Sequence, residues 1–182
     1  LRALEVSRIL QIPEGVEINL DGRIVTVKGE KGQLKRDFSF APVQITREGN
    51  TLTVKANWAR KKEAALVGTV ASHIQNMITG VTKGYTCKLK IVFSHFPISV
   101  KVQNDKIFIE NFTGERGSRI AKKVGDVKIT VKGEDIIIQG IDLESVTQTA
   151  TNIENATKVK RKDPRIFLDG IYVYEKIEGM EQ

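Results

Sequence analysis

The chain has 182 residues, 40% hydrophobic and 28% charged, with a formal net charge of +7. That length holds one large domain or two small ones, with the composition of an ordinary globular protein and no apolar run long enough to span a membrane. The basic balance favours polyanion partners, nucleic acid first and acidic membrane surfaces second.

The charge is not confined to one half, since residues 1–82 carry +4 and residues 83–182 carry +3. Cys87 is the single cysteine. It excludes a disulfide framework and a cysteine-based zinc site, and predicts a reduced thiol packed as a small apolar residue in an intracellular protein. No signal-peptide pattern opens the chain. The first residue is Leu1 rather than Met, so a few residues are expected to precede it.

Residues 1–12 alternate poorly and predict an edge strand or short arm. From Val16 the pattern sharpens: Val16, Ile18 and Leu20 alternate with Glu17 and Asn19, the period of a half-buried strand. Asp21-Gly22 predicts a tight hairpin turn, because both positions tolerate positive φ. Ile24 to Val27 returns as the second strand and ends at Gly29-Glu30-Lys31-Gly32. A third run, Gln33 to Phe40, can pair with it before Pro42 limits its extension. Val43 and Ile45 lead into a turn at Glu48-Gly49-Asn50, and Thr51 to Val54 makes another strand. An amphipathic helix follows, with Leu66, Val70, Ile74, Met77, Ile78 and Val81 on one face and Asn57 as its expected N-cap. Gly80 and Gly84 bracket its stop.

After that stop the pattern begins again. Residues 85–97 read as an opening strand, in which Leu89, Ile91 and Phe93 alternate with Lys88, Lys90 and Val92. Ile18, Leu20, Val25 and Val27 recur as Val100, Val102, Ile107 and Ile109, a constant separation of 82. The separation then changes to 85, where Gly29-Glu30-Lys31-Gly32 meets Gly114-Glu115-Arg116-Gly117. The second turn is therefore about three residues longer, through Asn111-Phe112-Thr113. Leu52 and Val54 recur as Ile136 and Ile138, and a second helix is predicted from Asp142 to about Val159. The fold class is α+β: two tandem duplicated domains, 1–82 and 83–182, each an antiparallel sheet with a helix packed on one face.

Few constellations carry chemistry. The two Gly-x-x-Gly loops lack the ending of a phosphate-binding loop and join strands, so they read as tight turns. His73 and His95 have no second histidine or cysteine at ligand spacing, so neither a metal nor another cofactor is expected. His73 reads as a partly buried helix residue, and His95, beside an aromatic, as an RNA contact or a turn-fixing residue. No nucleophile–base grouping is legible, and no small-molecule substrate is nominated. The basic clusters are more informative. Arg116, Arg119, Lys122 and Lys123 bunch around the single acid Glu115. Lys158, Lys160, Arg161, Lys162 and Arg165 bunch more densely, ahead of Phe167, Tyr172 and Tyr174. Such cations can displace counterions from a phosphate backbone, and nearby aromatics can stack on unpaired bases. A solvated helix end, where cations suit the negative dipole terminus, is the competing reading. Lys88 and Lys90 share a face of the entry strand and are secondary candidates. Gly170 predicts a close approach of backbone to RNA or a turn before the last strand.

Residues 161–176, RKDPRIFLDGIYVYEK, resemble the C-terminal signature of the archaeal and eukaryotic branch of a large-subunit ribosomal protein family, numbered six in bacteria and archaea and nine in eukaryotes. Val159, Lys162, Arg165, Phe167, Asp169, Gly170, Ile171, Tyr172, Val173 and Lys176 carry the match. Asn155 stands where the signature has glutamine, a conservative amide change. HIQNMITGVTKGY, SHFPISV and the opening PEGVEINLDGRIVTVKGEKGQLKRDF resemble the family's central helix, hinge, second-domain entry and first hairpin.

The resemblance implies two tandem α+β domains, no enzymatic activity, and binding to large-subunit rRNA mainly through the second domain. It places that contact near the sarcin–ricin loop and the translation-factor site, with neighbouring ribosomal proteins as partners. The closeness to the eukaryotic form implies a cytoplasmic ribosome assembled partly in the nucleolus, with an archaeal source as the other possibility. The competing functions are an RNA-binding assembly factor outside mature ribosomes and a protein-interaction adaptor whose basic tail is a solvated face.

Overall fold

The computed structural model describes residues 3–160, 162–163 and 165–180. They form two compact units, Leu1–Lys83 and Gly84–Gln182.

The first unit runs β1 (Ala3–Gln11), β2 (Glu17–Asp21), β3 (Ile24–Gly29), β4 (Gly32–Asp37), β5 (Gln44–Glu48), β6 (Thr51–Ala59) and α1 (Lys61–Thr82). Two antiparallel sheets, ordered β2-β3-β4 and β1-β6-β5, turn their apolar faces to α1. Val25 and Val27 from one sheet, Leu52 and Val54 from the other, and Val67, Val70, Ile74 and Ile78 of α1 are buried together. Each such side chain contributes about 1.5–3 kcal/mol on leaving water, which commits the amphipathic face of α1 to this site.

Asn57 is not the N-cap of α1. It pairs with Glu5 inside β6, which continues to Ala59 because those backbone groups find partners in β1. The cap is Arg60, whose amide donates to the Glu63 carboxylate at 2.6 Å, half of a capping box. At the other end Lys83 N–H donates to the Thr79 carbonyl at 2.8 Å, and Gly84 follows at φ +77°. A glycine at that position ends a helix without the Cβ clash that positive φ imposes on other residues.

The second unit runs β7 (Tyr85–Val92), β8 (Ser99–Gln103), β9 (Lys106–Glu110), a 3₁₀ turn (Phe112–Gly114), β10 (Arg119–Lys122), β11 (Lys128–Lys132), β12 (Asp135–Gly140), α2 (Leu143–Ala156) and β13 (Gly170–Glu178). Its sheets are β10-β9-β8 and β11-β12-β7-β13. Register repeats the first unit pair for pair. Ile18 pairs with Val27 and Leu20 with Val25, and 82 residues on Val100 pairs with Ile109 and Val102 with Ile107. Val27 then pairs with Leu34, whereas Ile109 pairs with Arg119, so the chain has gained three residues between them. Two antiparallel α+β repeats are thus built on one plan.

α2 begins at Asp142, whose carboxylate accepts the amides of Glu144 and Ser145 at 3.3 and 3.2 Å, an ordinary N-cap. It ends at Ala156, three residues before the expected Val159. Thr157 is the reason: it is buried, and its hydroxyl accepts the Ile171 amide of β13 at 3.0 Å. That bond pins the helix end to the sheet and sends Lys158 onward across the surface.

Candidate nucleic-acid interface

The three extra residues reorganise the β9–β10 connection. In the first unit Gly29 pairs with Gly32 across a tight turn, and a Cβ on Gly29 would sit 2.8 Å from the Val81 carbonyl oxygen. Lys31 N–H donates to that same carbonyl at 2.9 Å, so this turn docks on the end of α1. In the second unit residues 111–118 span the gap. Asn111, Thr113 and Gly114 take positive φ of 58°, 51° and 77°, an unfavourable conformation for a β-branched threonine. The distortion drives Phe112 into the core, where it is 1% exposed. Arg119 lies over it, with its guanidinium carbon 4.2 Å from the ring centroid. Nε and Nη2 of Arg119 donate to Glu115 at 2.9 and 2.6 Å, and Nη1 donates to the Ala156 carbonyl at 2.9 Å. Arg119 therefore ties this loop to the end of α2. Its hydrogen bonds hold the Glu115 carboxyl below the usual carboxylate range against a smaller opposing effect of burial.

The tie leaves a cleft of about 470 Å³ between the loop and the chain leaving α2, lined among others by Thr113, Arg119, Asn155, Lys158, Lys160 and Lys162. Arg119 of the first basic run and Lys158, Lys160 and Lys162 of the second, some forty residues apart in sequence, are brought to one place. A second cleft of about 230 Å³ is lined by His95, Phe96, Thr113, Lys162, Phe167 and Asp169, and shares Thr113 and Lys162 with the first. The Lys162 ammonium stands 4.3 Å from the Phe167 ring centroid. Phe96 lies against Gly114, where a Cβ would come within 3.2 Å of the ring. Asp169 is 5% exposed and accepts the Ser94 amide at 2.7 Å, which anchors the loop carrying His95 and Phe96. Sequence does not nominate Phe96 or Thr113 as contacts; the signals near them are the aromatic beside His95 within SHFPISV and the break in repeat spacing at 111–113.

Among the described residues, the other predicted contacts do not line these clefts. Arg165 is paired with Asp163, Nη2 to Oδ2 at 2.8 Å, which draws the Asp163 carboxyl down and lifts the Arg165 pKa further. Arg161 lies outside the described residues. Arg116 and Lys122 are exposed and Lys123 is half-buried. The Lys122 carbonyl accepts Asn152 Nδ2 at 2.9 Å, and the Lys123 amide donates to the Asp105 carbonyl at 3.0 Å.

Lys88, Lys90 and Tyr172 occupy the sheet face opposite α2. Lys88 pairs with Glu175 at 3.2 Å, and Lys90 with Glu134 and Asp135, both at 3.4 Å. Burial works against the Lys90 charge, but the two carboxylates outweigh it and raise its pKa. Tyr174 is the extra residue of a β-bulge between Val173 and Glu175, and its hydroxyl donates to Asp135 at 3.4 Å. Burial and then Asp135 push the phenol up. The bulge shifts Lys176 to the helix side, opposite buried Cys87, so Tyr172 and Lys176 do not share a face. Burial raises the Cys87 thiol, and the Lys176 charge partly offsets it. Gly170 is buried, and a Cβ there would meet the Tyr172 hydroxyl at 2.9 Å; the glycine makes room for that ring.

A model of the ribosomal protein L6 family matches residues 12–84 and again residues 96–170. The chain is 54% identical to large ribosomal subunit protein uL6 of Aeropyrum pernix over 174 residues, covering 95% of this chain and 96% of that one. It is 53% identical to the protein of that name from Desulfurococcus amylolyticus, covering 98% and 99% of the two chains. With that of Staphylothermus marinus it shares 55% over 170 residues, covering 91% and 92%. The family match reaches both repeats and takes in the lining of both clefts except His95.

Proposed function

Because the chain belongs to the ribosomal protein L6 family, a structural and non-enzymatic one, we propose that it is a constituent of the large ribosomal subunit whose residues 83–182 carry the main rRNA-binding surface. Residues 1–82 form the companion domain. The RNA is bound near the sarcin–ricin loop and the translation-factor site, among neighbouring ribosomal proteins, on a cytoplasmic ribosome. A nucleolar assembly stage applies if the source is eukaryotic.

One observation carries this reading. Lys158, Lys160 and Lys162 converge with Arg119 on one cleft, and that cleft continues into one walled by His95, Phe96 and Phe167. Cations along a groove follow a phosphate backbone, and aromatic walls at its end offer faces to unstacked bases. Lys158, Lys160 and Lys162 are the primary contacts, with Arg161, Arg165, Arg116, Lys122 and Lys123 extending the field around them. Lys88, Lys90, Tyr172 and Lys176 are outlying contacts; the two sheet lysines would exchange carboxylate partners for phosphate.

The test is crosslinking of the full chain to large-subunit rRNA, with peptide and nucleotide both mapped. Crosslinks are expected at Lys158–Phe167 and around His95. Crosslinks mostly within residues 1–80 would overturn the assignment.

A further inference from the structure

The two units differ at one sheet edge. β13 covers the edge of β7, but β1 is itself an edge strand in the sheet β1-β6-β5. β1 and β7 are counterparts. Leu10 pairs with Leu52 and Leu89 pairs with Ile136, so Leu10 corresponds to Leu89 at a separation of 79. The helices obey the same separation: buried Val67, Val70, Ala71 and Ile74 of α1 recur as Val146, Thr149, Ala150 and Ile153 of α2. Whatever lies along β7 and against α2 therefore has a matching place along β1 and against α1.

That place is a cleft of about 480 Å³, lined by Arg8, Ile9 and Leu10 of β1 and by α1 from Gly68 to Asn76. The counterparts of Arg8, Ile9 and Leu10 are Cys87, Lys88 and Leu89, which pair with Lys176, Glu175 and Val173 of β13. The cleft is the volume that β13 fills in the second unit. Its exposure follows: Ile9 is 65% exposed, whereas the Lys88 side chain in the matching position is 17% exposed. Among the described residues no strand covers the outer edge of β1. A long edge with apolar side chains is a template for strand addition unless something covers it.

The charges say what would fit. In the second unit the basic residue Lys176 stands opposite neutral Cys87, with the acid Glu154 of α2 also acting on that thiol. In the first unit Arg8 takes the position of Cys87 and Gln75 that of Glu154. The cation has moved from the incoming strand to the receiving one, so an incoming acid is favoured where β13 has Lys176.

We infer that the β1–α1 cleft receives an extended segment of a neighbouring protein, added antiparallel to β1, with an acidic side chain opposite Arg8 and apolar ones beside Leu10. This goes beyond the rRNA reading and does not depend on it.

The test uses the full chain and a synthetic nonapeptide of the β13 sequence GIYVYEKIE carrying Lys176→Glu, followed by amide NMR at up to millimolar peptide. Shift changes are expected in β1 and in α1 around Ala71. Arg8→Glu should weaken that peptide about fivefold and restore preference for the unaltered sequence, as cross-strand charge pairs do. Failure to bind, shifts confined to residues 84–180, or equal affinity of both peptides would overturn the inference. So would sedimentation showing that two copies pair through β1 and exclude the peptide, or displacement of the peptide by an rRNA fragment.

Discussion

Apart from the added β13, the two units share strand order, register and helix placement, yet they present different surfaces. In the first, a tight Gly29–Gly32 turn lies on the end of α1 and closes that corner. In the second, three added residues put Phe112 into the core and Arg119 over it, and the corner opens into a cleft. The chain after α2 then supplies both the lysines on the cleft wall and the strand that covers β7. A duplicated core tolerates new surface at its turns and ends because those positions lie outside the packed layers, where burial fixes little.

If the corner is the working difference, Phe112→Ala should break it most severely. Loss of this buried ring costs about 3–5 kcal/mol, and hydrogen exchange should report the loss in residues 84–180 while α1 stays protected. Thr157→Val comes next. It leaves the buried Ile171 amide without its acceptor, for about 1–3 kcal/mol, and chemical denaturation should show β13 loosening first.

Gly84→Ala sharpens the comparison at the start of the second unit. Positive φ and a Cβ 2.7 Å from Met180 predict a loss of about 1 kcal/mol or more, measurable as a lower midpoint for that unit. Arg119→Met gives a pH signature. With Arg119 present, Glu115 has a depressed folded pKa, so its stabilisation is complete above the ordinary carboxylate value of about 4.3 and fades as pH falls through the folded one. The variant should lose that acid-side slope, and urea titrations between about pH 5 and 3 would reveal it. The smallest change is Lys162→Ala, which should leave folding intact and reduce the salt-dependence slope of rRNA binding by about 0.7–0.9. An unchanged slope would remove Lys162 from the phosphate contacts.

Legibility varied with the range of the interaction. The hairpin at Gly22, the glycine stop at Gly84 and the helix start at Asp142 are local, and their residue types alone dictate them. The basic run at Lys158–Arg165 was visible as well, but not that Asp163 pairs with Arg165 or that Arg119 is held by Glu115 and Ala156. Asn57 misled for the same reason: a good capping residue was taken into β6 by a strand more than fifty residues away.

By itself the amino-acid sequence determined the α+β class, the duplication, the three-residue change in spacing and the resemblance to a ribosomal protein family. All of these are written in periodicity and residue identity, which act along the chain. Tertiary structure alone decided that Arg119, Lys158, Lys160 and Lys162 share one cleft, that a bulge at Tyr174 separates Tyr172 from Lys176, and that among the described residues no strand flanks β1 as β13 flanks β7. Those outcomes depend on which distant segments lie side by side. Packing settles that after the local rules have been satisfied.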